Sequence, residues 1–179
     1  MDYADRKPLE KYSYIKEIED KVLSIKKENV KIFVICPGMI YGCGEDTLYP
    51  LFRAAWLQEP AELPFLGDGS NPVPMIHMKD LVKLVIKVSE NPPENPPYLL
   101  AFDENPDRSQ KTLIKSISEG VGSGKIKSMN SSELIESPDR FQFNIDIRPS
   151  KYLVGTAEEP AEFEWTSKDG IGKNISKIL

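Results

Sequence analysis

An α/β fold built around parallel strands is the class this sequence predicts, and two observations carry it. The short continuous apolar runs from Val30 to Ile35 and from Tyr98 to Phe102 have the composition of strands buried on both faces. Around them, segments with apolar residues at helical spacing recur, so that helices and strands alternate along the chain.

Taken in order, Pro8 suits the first turn of a helix in which Tyr12, Ile15, Val22 and Ile25 keep helical spacing until the polar Lys26-Lys27-Glu28-Asn29. The strand that follows ends at Pro37-Gly38, a loop. In open α/β sheets ligands sit beyond the carboxyl ends of strands, which singles out Cys36 through Tyr41. Thr47 to Leu57 reads as a helix with Leu48, Leu51, Phe52, Ala55 and Trp56 on one face. Leu63-Pro64-Phe65-Leu66 runs into the turn Gly67-Asp68-Gly69, and Pro74 to Met78 leads to a helix over Lys79 to Ser89.

The stretch Asn91 to Pro97 holds four prolines and is excluded from helix and central strand, which leaves a stiff surface connector. Ser109 to Glu119 is expected to be a helix ended by Gly120, and Lys125 to Met129 a short strand. Short helices are expected over Arg148 to Val154 and Asp169 to Leu179.

Composition narrows the function classes. With 179 residues, 40% of them hydrophobic and 28% charged, the chain buries a core of its own as one domain. The net charge of -5 is dispersed, with no basic stripe for a phosphate backbone, so no nucleic-acid partner is expected. Two cysteines, Cys36 and Cys43, and one histidine make neither a disulfide framework nor a familiar metal site, and they fit a reducing, intracellular setting. No apolar run approaches the roughly 18 residues of a membrane span, and the N-terminus has no signal core.

Among the motifs, Tyr12 and Lys16 carry the most chemistry. Positions four apart share a helix face, and an ammonium there would stabilise a phenolate useful for proton transfer. Gly120-Val121-Gly122-Ser123-Gly124-Lys125 fails as a phosphate loop, because Glu119 and Ile126 stand where Gly and Ser or Thr are required; it reads as a helix C-cap and turn. His77 reads as a packed or loop histidine, and Cys36 as a packing thiol. Nothing supplies a Ser-His-Asp or Cys-His arrangement.

Pro8, Tyr12 and Lys16, then Pro37-Gly38-x-x-Tyr41-Gly42, then Phe65-Leu66-Gly67-Asp68-Gly69, then Met75-Ile76-His77-Met78-Lys79-Asp80-Leu81, form an ordered set. That order resembles the extended short-chain dehydrogenase/reductase family of sugar-nucleotide epimerases and dehydratases, closely over residues 4 to 102 and loosely beyond. The resemblance implies the C-terminal part of a doubly wound Rossmann-type fold with NAD(P) as cofactor. It makes Tyr12 the general acid/base, Lys16 the group that lowers its pKa and holds the nicotinamide ribose, and Cys36, Pro37, Gly38, Met39 and Ile40 the surface against the nicotinamide.

The chain departs from that pattern in Cys36, which stands where arginine is common, and in the lack of a glycine-rich loop. Tyr12 follows Met1 so closely that the first nucleotide-binding βαβ units are expected to be missing, which makes Tyr12 and Lys16 vestigial candidates. Residues 1–179 are then a single partial epimerase-like domain, with 1–102 a remnant Rossmann-type core and 103–179 a small substrate-type subdomain with C-terminal helices. The strand from Lys31 to Ile35 is expected to expose an edge, and the chain to be poorly stable alone.

A second resemblance spans nearly the whole chain. Phe52 to Leu57, Phe65 to Asn71, Pro74 to Leu81, Tyr98 to Glu104, Phe163-Glu164-Trp165 and Gly170 to Ile175 look like the epimerase-like N-terminal region of an adenylate kinase family of motile cilia and sperm flagella. This resemblance implies a non-catalytic module with protein partners in an axonemal complex, cytoplasmic and without a membrane partner. The alternative is the C-terminal half of an NAD(P)-dependent epimerase or reductase.

Overall fold

The computed structural model describes residues 3–130 apart from 95, 104 and 106, together with 141, 144, 147–159, 161, 163–166 and 171. The helix expected over Asp169 to Leu179 lies outside these residues, Ile171 excepted.

Two 3-10 turns, Tyr3–Asp5 and Glu10–Tyr12, precede helix α1 (Ser13–Ser24). The helix therefore starts later than Pro8 suggests. Leu9 is extended, with φ -60° and ψ 148°, and Tyr12 N–H donates to its carbonyl at 2.8 Å, so the chain tightens into a 3-10 turn before the α-helix begins. Tyr12 sits at the N-cap of α1, not within it.

Strand β1 (Val34–Pro37) passes through Gly38 into β2 (Met39–Tyr41). β1 starts later than expected and takes in Pro37. The N–H groups of Val34 and Gly38 donate to Pro97 and Ala101 at 2.8 and 2.9 Å, so by alternation position 37 faces away from the partner strand, where a residue without an N–H is tolerated. Every residue of β1 is half-buried, where burial on both faces was expected. The reason is topological: among the described residues β1 pairs with one neighbour only.

That neighbour is β5 (Tyr98–Ala101), joined in parallel from Val34 opposite Tyr98 to Pro37 opposite Ala101. β2 pairs in parallel with β4 (Met75–His77), and β3 (Leu63–Leu66) with β6 (Ile126–Met129). The outer side of β5 is covered by the chain itself, since Ser150 Oγ accepts from Leu100 N–H at 2.8 Å and Ser150 N–H donates to Leu100 O at 3.0 Å. Ser150 precedes the short helix α5 (Lys151–Val154).

Helix α2 (Tyr49–Leu57) carries Pro50 in its first turn, where the missing N–H does no harm, and stops at left-handed Gln58. Helix α3 (Met78–Glu90) buries Leu84 and Val88 and turns Val82, Val85 and Ile86 outward. Helix α4 (Gln110–Val121) is capped by Ser109, whose Oγ accepts from Thr112 N–H at 3.2 Å. It runs through Gly120, the expected stop, and ends at Gly122. A Cβ on Gly122 would lie 2.6 Å from Ala55 O, so the glycine lets α4 end against α2.

Two apolar cores result. One joins Leu63 and Phe65 of β3 to Ala55 of α2 and to Leu113, Ile114 and Ile117 of α4. Each of those three α4 side chains is essentially fully buried and contributes on the order of 1.5–3 kcal/mol relative to exposure. The other joins Ile76, Leu99 and Ala101 of the strands to Leu84 and Val88 of α3 and Leu153 of α5.

Candidate functional site

The carboxyl end of β1 opens onto a cavity of about 330 Å³ lined by Cys36, Pro37, Gly38 and Met39 from one side and by Val73, Pro74, Leu100, Phe102 and Ile147 from the others. Four of the five residues singled out from the sequence are therefore together in one wall. Ile40, the fifth, packs instead against the α3 core, because successive residues of a strand alternate faces. Gly38 is needed for the geometry: a Cβ there would stand 2.5 Å from Pro74 O, and Met39 N–H donates to that same carbonyl at 2.8 Å.

Tyr12 and Lys16 are not among the lining residues of this cavity. Tyr12 is exposed with the Lys11 ammonium 5.1 Å from its ring centroid, and Lys16 Nζ pairs with Asp20 at 2.6 Å one turn along α1. The residues lining the cavity are apolar apart from the Cys36 thiol and backbone groups, and they present no side chain that would hold a ribose hydroxyl or a phosphate.

A polar network lies beneath α1 that the motif reading missed. Tyr98, 4% exposed, receives a hydrogen bond from Arg6, which also pairs with Glu19, and the Tyr98 hydroxyl donates to Glu19 Oε1 at 3.4 Å. Tyr3 stacks on Tyr98 with ring centroids 5.0 Å apart and nearly parallel planes. Burial first, and then a hydrogen bond with Cys36, push the Tyr98 phenol well above its ordinary pKa, so it stays protonated. No local pattern announces this group, because Arg6, Glu19 and Tyr98 meet only in the folded chain; the one signal was an aromatic residue opening a strand of aliphatics.

At the carboxyl end of β4, His77 is buried as the packed histidine the sequence suggested. Its Nδ1 accepts from Lys79 N–H at 3.1 Å and so caps α3, and its ring meets Tyr41 edge-on at 5.2 Å. Desolvation lowers the His77 pKa, as an acceptor at Nδ1 requires. Asp80 and Asp103 are both buried; Asp80 Oδ1 accepts from Thr166 N–H at 2.7 Å, while Asp103 Oδ2 has no partner among the described residues. Burial raises the Asp103 pKa to about 6. Among the described residues no group of His, Cys, Asp and Glu could hold a metal ion, and no helix is long and apolar enough to cross a membrane.

Parallel strands wound with helices, and a Pro-Gly segment closing one strand onto a cavity, define a Rossmann-type α/β protein with the fold of the extended short-chain dehydrogenase epimerases. UDP-N-acetylglucosamine 4-epimerase from Bacillus cereus superposes on 96% of this chain and 56% of its own, with a TM-score of 0.58 and 14% identity, a likeness of fold. No family model matches the chain.

In sequence the chain is homologous to adenylate kinase 7. It is 31% identical to the Macaca fascicularis protein over 168 residues, 90% of this chain, and 30% identical to the Mus musculus protein over 185 residues, 99% of this chain. It spans 31% and 29% of those two relatives, less than a third of either.

Proposed function

We propose that this chain is a non-catalytic, epimerase-like module that docks within an axonemal assembly of cilia or flagella. The observation that carries the reading is the separation of chemistry from cavity. Lys16 is paired with Asp20, Tyr12 stands at the exposed N-cap position of α1, and the cavity at the end of β1 is walled by apolar side chains. A reductase needs a dinucleotide cradled by a glycine loop at a helix N-terminus, and the described residues provide no such cradle. The ciliary setting is supported by the similarity to adenylate kinase 7 along nearly the whole chain.

The test is co-sedimentation of the purified, folded chain with demembranated axonemes. Saturable pelleting that is competed by unlabelled chain is the expected result. A chain that stays in the supernatant at every axoneme concentration contradicts the assembly role.

A further inference from the structure

We propose that the cavity at the carboxyl end of β1 is a covalent modification site, in which the Cys36 thiol adds to small aliphatic α,β-unsaturated carbonyl compounds. The register of β1 against β5 sets up the site. Cys36 stands opposite Leu100, and Val34, two residues earlier, stands opposite Tyr98, so these four side chains share one face of the strand pair. On that face the polar group of Tyr98, Arg6 and Glu19 lies toward the start of the strands, and the apolar cavity lies toward their ends. Cys36 belongs to both.

The polar group is suited to making a thiolate. Tyr98 is buried, and its hydroxyl is hydrogen-bonded with Cys36 and faces Glu19 Oε1 at 3.4 Å. The thiol proton passes to the Tyr98 oxygen as the Tyr98 proton passes to Glu19. The hydroxyl then donates to the sulfur anion, and the Arg6 cation acts on it electrostatically. The phenol is never left ionised, in keeping with the upward pKa shift that burial causes. Attack of the thiolate on the β-carbon forms the S–C bond, the π pair of the C=C bond moves toward the carbonyl, and the α-carbon takes a proton from water. Glu19 returns its proton to solvent, so the net step adds S–H across the double bond and nothing is oxidised or reduced.

The walls select the electrophile. Met39, Val73, Leu100, Phe102 and Ile147 are apolar, and the volume of about 330 Å³ falls within the range of about 300–1,000 Å³ usual for pockets that enclose a small ligand. Two of these walls are braced from behind: Arg108 Nη2 donates to Ile147 O at 2.8 Å, and its guanidinium lies 5.4 Å from the Phe102 ring centroid. A strongly hydrated reagent must shed water to enter such a space, whereas an aliphatic tail gains by entering it. Cys43 is exposed in a turn and is not among the cavity's lining residues, so the same chain carries its own reference thiol. The site is independent of the docking reading, because a chain that docks nowhere still carries it.

The test labels the full folded chain with the aliphatic enal trans-2-octenal and, separately, with iodoacetamide, and follows each cysteine by peptide mass mapping. The ratio of the octenal rate to the iodoacetamide rate at Cys36 is expected to exceed the ratio at Cys43 by about tenfold or more. Tyr98→Phe keeps the ring, loses the hydroxyl, and slows both reagents at Cys36 by about tenfold while Cys43 reacts as before. Met39→Gln, in the cavity wall, lowers the octenal rate at Cys36 and leaves the iodoacetamide rate in place. Circular dichroism establishes that each variant is folded. Equal ratios at the two cysteines overturn the proposal, as does octenal labelling confined to Cys43 or to lysines. A folded Tyr98→Phe chain that reacts at Cys36 at the parent rate overturns it equally. Should that variant not fold, the two ratios in the parent chain decide alone.

Discussion

A Cβ added to Gly38 would stand 2.5 Å from the carbonyl oxygen of Pro74. That contact is where β1 hands over to β2 and where β4 comes alongside, since Gly38 N–H bonds to Ala101 and Met39 N–H to Pro74. Gly38→Ala must push two backbones apart, and the expected loss is about 1–3 kcal/mol, the usual range for forced overpacking. Urea unfolding of the variant reads it as a lower midpoint at unchanged slope; a midpoint equal to that of the parent contradicts the close approach.

Asp103 ties stability to pH in an unusual direction. Its folded pKa, raised by burial to about 6, lies above the unfolded value of 3.8, so the folded chain binds the extra proton between them. Stability from this group is fully present below pH 3.8 and is lost as pH rises through about 6. The shift corresponds to roughly 2–3 kcal/mol at neutral pH. Asp103→Asn is therefore expected to be more stable than the parent at pH 7.5, and the difference vanishes near pH 4. Equal melting temperatures at pH 7.5 would show that Asp103 Oδ2 finds a partner.

His77 works in the opposite sense. Its pKa is lowered by desolvation, so its contribution is fully present above the unfolded 6.5 and is lost as pH falls through the lower folded value. Protonation at Nδ1 removes the acceptor for Lys79 N–H and uncaps α3. His77→Asn keeps a capping oxygen and His77→Ala does not, so the alanine variant is expected to lose about 1 kcal/mol more. Thermal melts of both variants at pH 8 test this, and equal losses would place the role of His77 in packing alone.

The network under α1 holds that helix to the sheet. Tyr98→Phe keeps the ring stacked on Tyr3 and removes only the hydroxyl that meets Arg6, Glu19 and Cys36. The expected loss is about 1–2 kcal/mol, and faster amide exchange should be confined to α1 and the turns before it. Uniform acceleration through α3 and α4 would contradict a local anchoring role.

The parallel α/β class was legible because strands such as Tyr98–Ala101 announce themselves as apolar runs and helices such as α3 by their spacing. The wall of the cavity was legible too, since the Pro37-Gly38 pair marks the carboxyl end of β1. What escaped were features set by contacts distant in sequence. Tyr12 left the helix because Leu9 is extended, Gly120 stayed inside α4 because the stop depends on Ala55, and the Arg6–Glu19–Tyr98 group joins residues that no local window contains. The half-burial of β1 belongs with them, as a strand's own residues do not say whether a second neighbour will arrive.

The most direct measurement is titration of the folded chain with NADH and NADPH, followed by nicotinamide fluorescence, beside a Lys16→Ala variant. An apolar cavity without Tyr12 or Lys16 in its lining predicts no saturable change in either protein. Saturable binding by the parent that is lost in Lys16→Ala would contradict a non-catalytic module and return Tyr12 and Lys16 to an active site.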